Sequence, residues 1–417
     1  MAITSPVGQI IDQRLDNGLR VVIEPMRDIS SAAAGFMARA GSRDEPREWA
    51  GVSHFLEHMC FKGTRKRHWS QITVDFDRLG AYYNAFTSKE NTVYFGWVRS
   101  QDVDRQIELL ADMIRPTLPQ EEFDTEKKVV LEEIAMSDDD LDRHMYDLLH
   151  EKVFEGHSLA WPVLGYRETI EKLRRQDMAD YHARQYSPSN MVLIVAGNVD
   201  PDAIFRTAEQ VTADWTNVGT VPPRTAPVTL HTGRAVQVLE RFKQQCVAFA
   251  VPCGPAGPNE ERIEAIASIL GGENSRFFWN ITQKGISPRS GVWGVTYADC
   301  GFQLQFGFGE PDKIETLTDA IRTEAMKLQA EGPGPEELQR FKNRRATSLA
   351  ADGEAAYNRL MQMLQDIDNH DRARTLDERL AEVQSLTVDD LRHYLRQYPI
   401  AGGGYFVSVG PRDWPKL

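Results

Sequence analysis

The chain has 417 residues, room for two or three domains at about 150 residues each. Its hydrophobic fraction of 41% and charged fraction of 26% are those of an ordinary globular protein, while a formal net charge of −13 argues against nucleic acid as a partner, because phosphate contacts draw on Lys and Arg. No apolar run reaches the ~18 residues of a membrane span. Met1 to Gly8 carries no secretory-signal pattern, and Cys60, Cys246, Cys253 and Cys300 form no CxxC pair, so reduced thiols in the cytoplasm are expected.

In chain order, Ile10 to Leu15 and Leu19 to Ile23 flank Asp16-Asn17-Gly18, a hairpin signal. Ala32 to Ala40 reads as a buried small-residue strand. A helix starting near Glu48 to Gly51 then carries His54-Phe55-Leu56-Glu57-His58. With His54 at zero, Glu57 falls at roughly −60° and His58 at roughly +40° around that helix, so all three point out of one narrow arc. Two imidazoles so placed suit a divalent metal, with a carboxylate near enough to take a proton from its water. The order H-x-x-E-H is the inverted zinc motif; the plainer alternative is coincidence in a chain with ten His.

Trp69 to Leu79 is predicted helical, and Asn84 to Val98 reads as one long strand or a tight pair. If it forms a sheet edge near the metal, its unpaired N–H and C=O groups suit an extended peptide; an edge with no partner is the alternative. Helices are expected at Val103 to Met113 and Phe123 to Met136. In the second, Glu126, Val129, Val130 and Glu133 share a face, so Glu133 is the better third metal ligand than Glu132, and Glu126 suits a supporting role. A solvated acidic face is the alternative.

Met191 to Ala196 is predicted to be a buried strand. The stretch Asp214 to Gly233, with Pro222, Pro223 and Pro227, lacks helical or strand period over most of its length. We take 216–233 as a linker between domains 1–215 and 234–417. Arg184-Gln185-Tyr186 recurs as Arg396-Gln397-Tyr398, 212 residues on, each time before a strand that ends in Gly. That spacing, near half the chain, predicts two halves of similar build. In the second half Val236 to Leu239, Cys246 to Val251 and a half-buried Phe302 to Phe308 are expected as strands. Helices are expected at Glu261 to Leu270, Ser275 to Thr282 and, broken at Gly332-Pro333-Gly334-Pro335, Thr318 to Gln365.

Taken together, the chain resembles the pitrilysin/insulinase family of zinc metallopeptidases over nearly its whole length, closest to the two-domain branch with the mitochondrial processing peptidase. The resemblance rests on His54 to Thr64, Ala40 to Pro46, Asn84 to Ser88, Val130 to Ile134, His157 with Pro162 to Gly165, and Tyr186 to Met191. It implies an α+β fold of two similar halves, each a mainly antiparallel sheet packed with helices, facing each other as a clamshell around a chamber. It implies that His54, His58 and Glu133 hold Zn2+, that Glu57 is the general base with Glu126 in support, and that Asn84, Ala85 and Arg276 bind substrate. The activity implied is zinc-dependent endopeptidase cleavage of extended or unfolded peptides; a non-catalytic, peptide-holding subunit is the alternative. One departure stands out. Where the family often carries a Tyr donor, this chain reads Gly285-Ile286-Ser287-Pro288-Arg289, and a proline has no hydrogen to donate. The resemblance therefore favours the zinc subunit of a heterodimer over a homodimer, acting on a peptide and with no nucleic-acid or membrane partner.

Overall fold

The computed structural model describes residues 9–217, 221, 224 and 227–415; the expectation for Met1 to Gly8, and residues 218–220, 222, 223, 225 and 226 of the expected linker, lie outside these. The strands are β1 (Ile11–Arg14), β2 (Arg20–Pro25), β3 (Ser31–Ala38), β4 (Tyr82–Thr87), β5 (Thr92–Arg99), β6 (Met191–Gly197), β7 (Gly233–Val238), β8 (Gln245–Pro252), β9 (Arg289–Thr296), β10 (Gly301–Gly309) and β11 (Tyr405–Gly410). In the first half the helices are α1 (Val52–Cys60), α2 (Trp69–Leu79), α3 (Val103–Met113), α4 (Gln120–Ser137), α5 (Leu141–Val153), α6 (Arg167–Lys172), α7 (Arg175–Gln185) and α8 (Pro201–Val211). In the second they are α9 (Glu260–Gly271), α10 (Ile314–Glu331), α11 (Pro335–Asp352), α12 (Ala356–His370), α13 (Leu376–Ser385) and α14 (Val388–Gln397).

Two sheets follow one plan. The first runs β1-β2-β6-β3-β5-β4 and the second β7-β11-β8-β10-β9. Each is antiparallel except for one parallel pair, β2 with β6 and β7 with β11. The recurring Arg-Gln-Tyr precedes β6 and β11, which hold the same place in their sheets, so the repeat in sequence is a repeat in topology.

The described residues fall into two compact units: 9–135, 161–224 and 349–379, and 136–160, 227–348 and 380–415. These depart from the contiguous division at the linker, because each half of the sequence supplies one helix to the other half's sheet. On the first sheet, Val21, Ile23, Ala34, Phe36 and Leu193 join the core formed with α1 and α3. The opposite face, with Val22, Ala33, Met37, Phe95 and Ile194, is covered by Leu360, Met363 and Ile367 of α12. On the second sheet, a Cβ at Gly307 would touch Leu317 and Ile321 of α10. Its other face meets His150 of α5 and the adjoining Phe154, whose rings lie 5.2 and 5.9 Å from Phe302. With both faces covered, β10 is buried from end to end, not half-buried as its alternation suggested.

Candidate metal centre

The first unit's core fixes the metal helix. Val52, Phe55, Leu56 and Met59 are fully buried along one side of α1, which leaves His54, Glu57 and His58 half-buried on the remaining arc. The helix start is anchored by Glu45. Its carboxylate accepts the N–H of Gly51 and of Ser53, each at 2.7 Å, so two otherwise unpaired helix-end donors are satisfied out of water. Burial pushes that carboxyl up to about 8 in spite of these N–H donors. Gly51 lies at φ 97°, and a Cβ there would come within 2.6 Å of the Leu164 carbonyl, so the turn into the helix admits no side chain.

Helix α4 lies against α1 through Phe123, stacked on Phe55 with ring centroids 4.8 Å apart. Glu126 and Glu133, two turns apart, thereby reach the histidines. Val129, expected on the same face, is 37% exposed, and Val130 carries the packing instead. The Oε2 of Glu133 is 3.8 Å from His54 Nε2 and 3.7 Å from His58 Nε2. These separations are too long for hydrogen bonds, yet all three ligand atoms lie within 4.8 Å of one another. Tetrahedral zinc with bonds of ~2.0–2.1 Å sets its ligand atoms roughly 3.3 Å apart, so the Glu133 oxygen has only about half an ångström to close on each imidazole. Two imidazoles and a carboxylate are also a set that zinc takes while keeping a fourth position open. On donor chemistry and spacing, the residues fit the metal.

The groups around this set are equally specific. His58 Nδ1 is 2.9 Å from Glu126 Oε1, so an Nδ1–H donated to the carboxylate leaves the Nε2 lone pair directed at the shared point. Lys62 Nζ donates to the other Glu126 oxygen at 2.6 Å. Burial would raise the Glu126 carboxyl, but the His58 and Lys62 hydrogen bonds hold it below the usual range. Glu57 Oε2 accepts from Thr87 Oγ1 at 2.6 Å. Burial raises the Glu57 carboxyl against that bond, a direction that suits a proton acceptor.

Thr87 ends β4, an outer strand that pairs only with β5 among the described strands. The N–H of Ala85 donates to Asn84 Oδ1 at 2.9 Å, so it faces away from β5 toward the free edge. Tyr83 stacks on Phe76 of α2, and Thr87 reaches Glu57 of α1, which puts the alternate side chains of β4 on the face of the sheet that these helices cover. Asn84 and Ala85 thus sit on a free edge whose strand ends at Glu57.

Arg276 belongs to the other unit, where its donors are taken up: Glu337 accepts at 2.9 and 3.0 Å, Gly332 O at 3.3 Å, and Glu331 stands at 3.6 Å. In the same unit Pro288 is exposed beside Ser287, whose single hydroxyl hydrogen lies between the carbonyls of Phe308 and Arg289, 2.6 and 2.8 Å from its oxygen. Sequence reasoning missed three contributors. Lys62 carried a signal, lying four residues beyond His58. Thr87 had only its place two residues past Ala85, and Glu45 had none, because its contact depends on a loop folding back.

The model of the insulinase family (peptidase family M16) matches residues 20–167, and that of the peptidase M16 inactive domain matches 172–345. An uncharacterized zinc protease of Rickettsia felis is 32% identical over 82% of this chain and 84% of its own length. The uncharacterized zinc protease YmxG of Bacillus subtilis is 30% identical over 91% and 93%. Mitochondrial-processing peptidase subunit beta of Pongo abelii is 28% identical over 95% and 83%. The crystal structure of a protease from Helicobacter pylori superposes with a TM-score of 0.90, covering 96% of this chain and 99% of that one; at 22% identity it speaks for the fold alone. With two matched halves, an inverted zinc motif and relatives called zinc proteases, the chain belongs to the insulinase (M16) family of zinc peptidases, in its two-domain branch.

Proposed function

We propose that the protein is a zinc-dependent endopeptidase acting on extended or unfolded peptides. The observation that carries this reading is the convergence of His54 Nε2, His58 Nε2 and a Glu133 oxygen beside Glu57, at the end of a free strand edge. A zinc ion held by the three supplies Lewis acidity toward a peptide carbonyl and lowers the pKa of a water. Glu57, steadied by Thr87, takes the proton of the attacking water and returns it to the leaving amine. Glu126 fixes the ring of His58. The β4 edge at Asn84 and Ala85 grips the peptide main chain as an added strand, which selects for extended substrates with modest side-chain demands.

We further propose that the chain works as the zinc subunit of a dimer, a heterodimer with a related chain before a homodimer. Three features support this: Pro288 cannot donate, the Arg276 guanidinium is held by Glu337, and one relative is by name a subunit, mitochondrial-processing peptidase subunit beta. The four cysteines are free and buried, which supports the cytoplasm as its compartment. A second reading, a non-catalytic peptide-holding subunit, draws on the match of 172–345 to the inactive-domain model. Incubation with a mixed peptide pool separates the two. Cleavage stopped by a chelator, restored by zinc and absent in Glu57→Gln supports the peptidase; cleavage that persists in Glu57→Gln removes the assigned base. Native mass of the complex taken from its source, with each chain identified, tests the dimer.

A further inference from the structure

The unit without the metal residues contains a cavity of about 500 Å3 that the proposed peptidase activity does not use. It opens on the α10 side of the second sheet, beside Thr318, Arg322 and Ala325. Its floor is aromatic. Phe249 and Phe406 are paired with ring centroids 4.9 Å apart, and Trp414 stands edge-on to Phe406 at 6.2 Å. One buried amide interrupts this floor: Gln305, whose Nε2 donates to the Ile400 carbonyl at 2.9 Å.

The mouth is polar and weakly cationic. The side chains of Arg234 and Arg322 line it and are exposed. In a chain with 61 acidic against 48 basic residues, most buried or half-buried arginines are tied to carboxylates. Among the described residues neither Arg234 nor Arg322 stands in an ion pair, although Asp319 also lines the cavity one turn before Arg322. The rim is completed by Gly402 and Gly403, where an added Cβ would meet nothing, so bare backbone faces the opening.

Apolar walls with a few converging polar groups and a volume within roughly 300–1,000 Å3 are the attributes of a small-molecule site. We propose that this cavity binds a monoanion with a flat apolar body, an aromatic carboxylate, its ring on Phe249 and Phe406 and its charge between Arg234 and Arg322. The proposal stands apart from the peptidase reading.

The probe is 2-naphthoate, followed by calorimetry on the full chain, with 2-naphthalenemethanol as its neutral counterpart. One equivalent of naphthoate is expected to bind the wild type. The charge reversal R234E/R322E, at exposed positions, should weaken it more than tenfold while leaving the neutral probe within about twofold. Replacing Trp414 by Phe should remove most of the tryptophan quenching that accompanies binding. No binding at millimolar probe, or equal affinity in R234E/R322E, overturns the site. Peptide cleavage should be unchanged in these variants, so loss of the site and loss of the peptidase reading are separately visible.

Discussion

Glu126→Gln separates the orientation of His58 from the supply of metal ligands. Both partners of Glu126 are donors: the His58 ring at 2.9 Å on one oxygen and the Lys62 ammonium at 2.6 Å on the other. Glutamine offers one oxygen, so its NH2 group must then face either an imidazole N–H or a cation. Loss of one hydrogen bond to a charged group amounts to roughly 1.5–3 kcal/mol, or roughly 10–150-fold in a binding constant. That agrees with the ~10–100-fold typical for removing the outer partner of a metal-bound histidine. Zinc affinity, measured by competition with a chromophoric chelator, should therefore fall by about 10–100-fold in Glu126→Gln. The double variant Glu126→Gln/Lys62→Met should recover part of it, because the amide oxygen can turn to the ring with no ammonium left facing the NH2. An affinity within about twofold of wild type, with the far-ultraviolet circular dichroism unchanged, would refute the orienting role.

Thr87→Val removes the 2.6 Å donor to Glu57 and should lower kcat by about tenfold at constant zinc content; a parallel loss of zinc would show that Thr87 acts through the ligands instead. The Glu45 carboxyl, raised by burial from 4.5 to about 8, has its folded value above its unfolded one. Its contribution to stability is therefore full below pH ~4.5 and is lost as pH rises toward ~8, whereas Gln does not titrate. The stability advantage of wild type over Glu45→Gln in urea unfolding should shrink across that window, and an advantage that grows with pH would contradict this account. Leu360→Ala, at a fully buried position of α12, should cost roughly 2–5 kcal/mol by the same assay, since it opens a void against β3 and β6; a cost under ~1 kcal/mol would mean that α12 is not seated there.

Much of this architecture is legible in the chain because local chemistry and final environment agree. Trp69–Leu79 and Val103–Met113 start and stop where their apolar period does. Asn84 to Val98, which reads as either one long strand or a tight pair, folds as the pair β4 and β5 with the chain reversing over Ser88 to Asn91. The arc of His54, Glu57 and His58 follows from helix geometry alone, and the choice of Glu133 over Glu132 from the phase of Val130. Contacts made across long separations are what the sequence hides. Nothing in the pattern of Ala356–His370 says which sheet its apolar side will meet, and a helical period is the same whichever face it covers. Full burial of β10 escaped notice for that reason, since its Gln303 and Gln305 read as solvent-facing until a helix lies over them.

The reciprocal placement of α5 and α12 bears on how this polypeptide comes off the ribosome. When residue 215 emerges, the first sheet still lacks its cover, and a strip of Val22, Ala33, Met37, Phe95 and Ile194 stays wettable until residues near 370 have been made. At about 5–20 residues per second that interval lasts roughly 8–30 s. A gene cut at the linker would make the exposure permanent in one fragment and strand an orphan helix in each, so the halves should be soluble only when they are expressed together.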